Sequence, residues 1–309
     1  MAILQTPMRR ISKNLLVKLE HYNPTGSHKY RAAKYVVSKA ILDGQLKPYG
    51  EKRIIEKSGG NFGLGLAFEA CKHGIGVDLV IGLSFSPIKR ILCEQFGARL
   101  VGLDLLKKGV QPKDVISIML RENEGKYFFS DQFNNPENLR AHYQETGTEV
   151  VDQIRQEALS GEEIILAKGA GTGASLTGIA KKLRESFDKV KVFLDHPSSC
   201  DIKGGKFGEH IMEGTMVGVH PPFLDLNLVD DLISVTNAQA MEGQRMLAKQ
   251  IGIFPGISSG ANFYAAFTMS QEFKKTTFIT VSYDLGEGYL LKKALKDDPL
   301  ILSRYTDSG

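Results

Sequence analysis

Lys29 is the residue with the clearest chemical potential, because of the segment that surrounds it. The apolar run Leu15–Leu19 predicts a strand, Pro24 and Gly26 predict a turn, and Ser27 can cap a helix whose first turn carries the lysine. An ammonium group is unfavourable at the positive end of a helix. Lys29 therefore has a reason to lose its proton and become a nucleophilic amine. Taken alone, the segment also fits an exposed lysine after a turn.

Four glycine-rich segments at strand-to-helix junctions or strand ends could hold a ligand. Glycine lets backbone N–H groups approach an anion at a helix N-terminus. One such segment is usually only a turn, but four of them predict a composite site at the carboxyl edge of parallel sheets. The four segments are Ser58–Gly63, Gly169–Ser175, Gly256–Ala261 and Asp284–Tyr289.

The second of these segments also fits a dinucleotide-binding fingerprint. Gly169, Gly171 and Ala174 have the spacing G-x-G-x-x-A, and they follow the strand-like run Ile164–Ala167. Asp195 ends the next predicted strand, where a ribose-binding acid would stand. On this stretch alone an NAD-linked enzyme stays open, but that interpretation leaves Lys29 and the other three segments unexplained.

Composition narrows the class of protein. The chain has 309 residues, 42% hydrophobic and 24% charged, which suits two globular domains. A net charge of +4 without basic blocks argues against nucleic acid as a partner, and no apolar run reaches membrane-spanning length. The N-terminus lacks the pattern of a secretory signal. Cys71, Cys93 and Cys200 are scattered, which favours a reducing cytoplasm. His196 and Cys200 are too few ligands for zinc, so we expect no metal.

Strand-like and helical patterns alternate along the chain, which predicts an α/β fold with parallel sheets covered on both faces. A polar stretch, Asn134–Glu145, is a candidate domain boundary. Further predicted strands are Arg53–Ile55, Val77–Ile81, Arg99–Val101, Tyr127–Phe129, Val190–Leu194 and Phe278–Val281. Predicted helices include Gly65–His73, Ile88–Phe96, Ser175–Phe187 and Ala238–Ile251.

Taken together, the motifs resemble the pyridoxal-phosphate enzymes of fold type II, the tryptophan synthase β group. They are most similar to O-acetylserine sulfhydrylase (cysteine synthase) and cystathionine β-synthase. The resemblance covers nearly the whole chain, in order. It is carried by Asn23–Arg31, Ser58–Gly63, Gln132–Pro136, Glu145–Gly147, Gly171–Gly178, Met212–Gly214 and Gly256–Ala261.

The resemblance implies pyridoxal 5'-phosphate as cofactor, bound covalently to Lys29 through a Schiff base. Its phosphate would rest on N–H groups of the glycine loop without needing a lysine or arginine. The implied cofactor-binding residues are Lys29, Asn61, Gly171, Thr172, Gly173, Ala174, Ser175, Gly214 and Asp284. The implied substrate-binding residues are Ser58, Gly59, Gly60, Asn61, Phe62 and Gln132.

The resemblance also implies an architecture and a reaction. We expect two three-layer α/β domains, a smaller one of residues 37–145 and a larger one of 1–36 and 146–309, with the cofactor in the cleft between them. A homodimer is implied. The implied reaction on an amino-acid substrate is β-replacement through an aminoacrylate. Elimination, deamination or racemisation of another amino acid stays open, whereas the intact Lys29, Asn61 and phosphate loop argue against a non-catalytic relative.

The departures from the family pattern matter as much. Gly59 and Phe62 stand where sulfhydrylases carry hydroxyl residues, which predicts weak activity with O-acetylserine and sulfide. The family serine that faces the pyridine nitrogen falls on Leu285, so Asp284, or failing that Ser282, is the candidate substitute. Asp284 equally fits a residue at a strand end that caps the next turn. His28 replaces an apolar residue and is either packed at the helix start or a proton relay.

Overall fold

The computed structural model of the protein describes residues 5–82, 86–157 and 163–290. The chain divides into two compact units: a larger one of Met1–Tyr35 and Gln132–Leu285, and a smaller one of Val36–Asp131 and Gly286–Gly309. Across the described ranges, no helix is both long enough and apolar enough to cross a membrane.

The elements alternate as the sequence predicted. In the described residues the strands are β1 Met8–Ser12, β2 Leu15–Leu19, β3 Arg53–Glu56, β4 Val77–Leu79, β5 Ala98–Leu100, β6 Tyr127–Phe129, β7 Glu163–Ala167, β8 Val190–Pro197, β9 Cys200–Asp201, β10 Lys206–Phe207, β11 Asp231–Val235 and β12 Thr276–Ser282. The α-helices there are α1 Lys29–Leu42, α2 Asn61–Cys71, α3 Pro87–Gln95, α4 Leu103–Lys107, α5 Pro112–Glu122, α6 Pro136–Ala141, α7 Thr148–Gln156, α8 Ala174–Ser186, α9 Asn237–Ile251 and α10 Ile257–Glu272. The described residues also form three short 3-10 helices, Glu20–Tyr22, Pro24–Gly26 and Leu226–Leu228, and a π-helical segment, His142–Gly147.

The larger unit is built on a six-stranded sheet in the order β1-β2-β12-β7-β8-β11. Only β1 pairs antiparallel, with β2; the other pairings in this sheet are parallel. One face packs on α7 and α8 through residues such as Leu166 and Ile179. The other face packs on α9 and α10 through residues such as Phe278 and Phe263. Helices on both faces explain why the central strands β2 and β12 are buried at every position.

The smaller unit is built on a four-stranded parallel sheet in the order β5-β4-β3-β6. Ile55 and Val80 pack on Val115 and Ile116 of α5. Two mostly parallel sheets, each with covering helices, confirm the predicted α/β class.

The compact units and the predicted domains differ at their edges. The smaller unit overlaps the predicted 37–145 over 37–131, because α6 and the π-helical segment pack on α8 of the larger unit. Residues from Gly286 on group with the smaller unit, where Ser86 Oγ donates to Gly288 O at 3.2 Å and Lys89 Nζ lies 4.1 Å from the Tyr289 ring centre. With these boundaries, the two-domain division remains our proposal.

Candidate active site

Lys29 is the first residue of α1 and lies partly buried. Ser27 caps this helix start as predicted, because the Lys29 backbone N–H donates to Ser27 Oγ at 3.3 Å. Burial lowers the pKa of Lys29 to about 8. The direction of this shift agrees with the sequence argument, and its cause is removal of the ammonium group from water.

The turn before α1 is strained and is fastened to the end of β12. Thr25 has a φ of 65°, which is rare for a β-branched residue. His28 N–H donates to Tyr283 O at 3.0 Å, and Leu285 N–H donates to Gly26 O at 3.3 Å. Strained backbone of this kind needs firm surroundings and clusters at functional sites.

The glycine loop, Gly169–Ser175, joins β7 to α8 and makes two close backbone approaches. A Cβ on Gly171 would lie 2.2 Å from Gly214 O, and one on Gly173 would lie 2.3 Å from Leu224 N. The first N–H groups of a helix have no acceptors within it, so the start of α8 offers donors to an anion. The predicted phosphate-binding residues and Gly214 are thus brought together.

A fully buried lysine, Lys168, lies at the base of this loop and was missed by the sequence analysis. Its side chain has no exposure, and Nζ donates to Gly169 O at 3.0 Å and to Ser175 Oγ at 2.9 Å. Burial, opposed by the charge of Asp195, lowers the pKa of Lys168 to about 7. The loop therefore has a buried lysine beside it, which the expectation of a phosphate held by N–H groups did not include. The available signal was a lysine between the run Ile164–Ala167 and the glycines.

Asp195 stands on β8, next to β7, and is 1% exposed. Burial raises the pKa of Asp195 to about 7, although Lys168 opposes that shift. Its Oδ1 has no hydrogen-bond partner in the described part of the chain.

The segment Gly256–Ala261 opens α10, and its polar groups brace the fold. Ser259 Oγ accepts from Tyr283 N–H at 2.8 Å. Just beyond it, Asn262 accepts from Gly169 N–H at 2.9 Å, while Tyr283 OH donates to Gly169 O at 2.7 Å. These bonds hold the end of β12 against the glycine loop. The sequence analysis had named Gly256–Ala261 as one of four segments that could hold a ligand, and that role stays a prediction.

The two candidates for the ring nitrogen differ in their surroundings. Ser282 Oγ lies 3.1 Å from His21 Nδ1, and burial lowers the pKa of His21 to about 4. Asp284 is 3% exposed, and its backbone forms a bridge with Ser27 two residues before Lys29. The apolar Leu285 side chain packs against Gly26.

His28 is packed between two rings. Its ring centre lies 4.8 Å from that of Tyr283 and 5.6 Å from that of His142. Burial, with the nearby charge of Lys29, holds the pKa of His28 well below its ordinary value. A neutral ring that packs at a tilt against two others favours the packed interpretation over the proton relay.

Gln132 is brought to the glycine loop through Asn138. The Gln132 carbonyl accepts from Asn138 Nδ2 at 2.7 Å, and the same amide nitrogen lies 3.4 Å from Thr172 Oγ1.

The predicted substrate loop, Ser58–Phe62, belongs to the smaller unit. Asn61 begins α2, and its Nδ2 lies 3.4 Å from Tyr289 OH. The turn is tight, because a Cβ on Gly63 would lie 2.0 Å from the carbonyl oxygen of the loop's first residue. Phe62 is 1% exposed, and its ring offers no hydrogen bond in place of a hydroxyl.

A second set of buried charges, the Arg31 network, lies at the start of α1: Thr6, Lys18, Glu20, Arg31 and Glu149. Arg31 Nε lies 2.7 Å from Glu20 Oε2, and its Nη1 lies 2.7 Å from Glu149 Oε1. Lys18 Nζ lies 2.6 Å from Glu149 Oε2. Burial alone would raise the pKa of Glu20, but Arg31 outweighs it and holds that pKa well below its ordinary value.

Among the described residues, no group of three or more His, Cys, Asp or Glu side chains could hold a metal ion.

Residues 1–284 match the family described as pyridoxal-phosphate dependent enzyme, so the chain belongs to that family. It is 36% identical over 282 residues to a cysteine synthase of Staphylococcus aureus, covering 90% of this chain and 87% of the relative. A solved cysteine synthase from Entamoeba histolytica superposes with a TM-score of 0.83 at 30% identity, covering 93% of this chain and 87% of that one. A solved O-ureido-L-serine synthase gives a TM-score of 0.80 at 32% identity, covering 93% and 90%.

These findings confirm the resemblance drawn from the motifs. The chain is a cysteine synthase-like enzyme of fold type II whose cofactor is pyridoxal 5'-phosphate. The family assignment replaces the dinucleotide interpretation of the glycine loop. The residues present fit the cofactor, since the loop leads into the N-terminus of α8, whose first N–H groups suit a phosphate, and a partly buried lysine of lowered pKa suits covalent attachment.

Proposed function

We propose that the enzyme catalyses β-replacement on an amino acid that carries a leaving group at Cβ. The observation that carries the proposal is Lys29, a partly buried amine with a pKa of about 8. The N–H of its neighbour His28 donates to Tyr283 O, and Tyr283 OH donates to Gly169 O of the glycine loop. The similarity to cysteine synthases supports the reaction class.

Lys29 would hold the cofactor covalently through Nζ, and the loop Gly171–Ser175 with Gly214 would hold its phosphate. When bound, pyridoxal phosphate supplies an electron sink for the charge that forms at Cα. A lysine with a pKa of about 8 is partly neutral near physiological pH, so its Nζ can take the Cα proton once substrate has displaced it.

Asp284 is the favoured partner of the cofactor's ring nitrogen. Ser282 Oγ is already engaged with His21 Nδ1, at 3.1 Å, and Leu285 has no donor or acceptor in its side chain. A carboxylate facing the nitrogen would keep it protonated and strengthen the electron sink.

The preferred reaction is not that of O-acetylserine with sulfide, and the substrate is another amino acid. Ser58, Gly60, Asn61 and Gln132 would contact its carboxylate, while Gly59 and the buried ring of Phe62 supply none of the hydroxyl groups found there in sulfhydrylases. A solved relative named O-ureido-L-serine synthase supports the idea that this fold accepts other leaving groups or products.

The test is a product assay in deuterated water with serine derivatives that carry acetyl, phospho or ureido groups on Oγ, each with a panel of nucleophiles. We expect a β-substituted amino acid with deuterium at Cα, and at least a thousandfold lower rate for Lys29→Ala. The control is Lys34→Ala. Pyruvate as the main product would indicate elimination, and deuterium uptake without loss of the Cβ group would indicate racemisation; either result contradicts replacement.

We also propose that the enzyme is a cytoplasmic homodimer without nucleic-acid or membrane partners. The family resemblance supports the dimer, and the side chains of Ile88, Ile91 and Leu92 on α3 are 37%, 55% and 39% exposed. A monomeric mass by light scattering would contradict the dimer.

A further inference from the structure

Lys168 has no part in the chemistry proposed above, yet it touches the loop that would hold the cofactor. Its side chain is fully buried, and Nζ donates only to uncharged oxygens, Gly169 O at 3.0 Å and Ser175 Oγ at 2.9 Å. The ion pairs found among the described residues do not include it. Ser175 lies in the first turn of α8, where backbone N–H groups already favour an anion.

A buried ammonium group without a counter-charge is unfavourable and tends to lose its proton. The pKa of about 7 for Lys168 follows from this burial, and the charge of Asp195 opposes it only in part. A phosphate dianion on the loop would supply the missing negative charge and restore the ammonium form.

We infer that Lys168, acting through the Ser175 hydroxyl, is the cationic element of the cofactor's phosphate site, and that phosphate binding is coupled to proton uptake by this lysine. The inference rests on the proposed function in one respect, the placing of the phosphate on Gly171–Ser175. Lys168 is a positioning residue in this role, since it acts on the phosphate through the Ser175 hydroxyl and does not contact the phosphate directly.

The groups around Lys168 decide which pH range reports on it. Tyr283, His28 and His142 stay neutral between about pH 7 and 9, because burial holds the pKa of Tyr283 well above its ordinary value and those of both histidines well below theirs. Lys29 titrates in this range, but it reacts with the aldehyde group of the cofactor. Pyridoxal carries the same aldehyde, so the contribution of Lys29 cancels when the two ligands are compared. The charged or titratable groups that face Lys168 are Asp195 on β8, Lys29 on α1, Glu20 after β2 and Tyr283 after β12.

The experiment compares the dissociation constants of pyridoxal phosphate and pyridoxal for the cofactor-stripped protein by equilibrium dialysis. Their ratio isolates the phosphate contribution. In Lys168→Met the preference for the phosphorylated form should fall at least about tenfold near pH 7, while pyridoxal affinity changes less than about twofold. Lys181→Met, an exposed lysine on α8, is the matched charge control and should leave both constants unchanged.

The same ratio should depend on pH. In the parent, the preference should shrink about tenfold from about pH 7 to 9, where the phosphate is already a dianion, because neutral Lys168 must take up a proton to bind it. Lys168→Met should show a flat ratio over this range.

Two results would overturn the inference: an unchanged preference in Lys168→Met, or a flat ratio in the parent. Should the variant not fold, calorimetric titration of the parent with pyridoxal phosphate and with pyridoxal, in buffers of different ionisation enthalpy, decides the matter, since equal proton uptake for the two ligands at pH 8 rejects the coupling. A parent without any preference for the phosphorylated form would instead reject the proposed phosphate position, which the product assay does not probe.

Discussion

In the described part of the larger unit, Lys18 and Lys168 are both fully buried, but only Lys18 forms an ion pair. Both have no exposed surface. Lys18 Nζ lies 2.6 Å from a Glu149 carboxylate oxygen, inside the Arg31 network, where each charge meets an opposite one. Lys168 Nζ meets a hydroxyl and a carbonyl, and the nearby Asp195 carboxyl keeps an unsatisfied oxygen.

The difference separates charge that holds the fold from charge that awaits a ligand. Removing one partner of a buried ion pair strongly destabilises the folded protein, because the other charge is left uncompensated. Buried groups with shifted pKa values and incomplete partners are typical of binding and catalytic sites. Both arrangements lie in the same unit and act on α1 or the glycine loop, so they can be compared by matched substitutions.

The largest effect should come from breaking the Arg31 network. Arg31→Met leaves Glu20 and Glu149 buried without a guanidinium, and the free energy of unfolding should fall by about 3–5 kcal/mol. Urea denaturation measures this. Arg184→Met is the control: its pair with Asp230 is about a third exposed on both sides, so the change should stay under about 1 kcal/mol. Equal losses for the two variants would contradict a structural role of the network.

A matched pair of lysine substitutions tests the comparison directly. Lys18→Met should cost about 3 kcal/mol, at the lower end for a broken buried ion pair, because Glu149 loses Lys18 but keeps Arg31 as a cationic partner. Lys168→Met should cost less than about 1 kcal/mol in the cofactor-free protein, because it removes a cation that lacks a counter-charge. Thermal and urea unfolding of both variants measure the gap, and a Lys168→Met loss as large as that of Lys18→Met would show that the two regions do not differ.

Acid should act on the paired region. The pKa of Glu20 is lower in the folded protein than its ordinary value of about 4.3, so the folded state binds fewer protons below that pH. This contribution is present above about pH 4.3 and is lost as pH falls, by about 2 kcal/mol toward pH 2. Urea unfolding at several acidic pH values gives the slope, which should be shallower in Arg31→Met. An identical slope in the variant would assign the acid loss to other groups.

The sequence predicted the fold well wherever apolar runs were continuous. Leu15–Leu19 and Tyr127–Phe129 are strands with the predicted bounds, and the run Ile164–Ala167 is β7 apart from one residue. The edge strands β1 and β11 mix polar or charged residues with apolar ones, without a continuous apolar run, and were not predicted. Their pairing depends on neighbouring strands and not on local composition.

The site was predictable as a set of loops, less so as a set of charges. The positions of Lys29, Gly171 and Gly214 follow from motifs that local geometry requires. The pKa of Lys29 depends on burial, and that of Lys168 depends on burial and on the charge of Asp195, which stands on another strand. Burial and long-range charge leave no local sequence pattern, which is why Lys168 was missed.

Tyr283 has an optical consequence. The chain contains no tryptophan and ten tyrosines, so its ultraviolet emission is tyrosine emission alone. Tyr283 is 7% exposed and is hydrogen-bonded to Gly169 at the loop that would hold the phosphate. A chromophore bound there would accept excitation energy from this phenol, so the native fluorescence of the unlabelled protein becomes an internal gauge of how much of the enzyme is loaded.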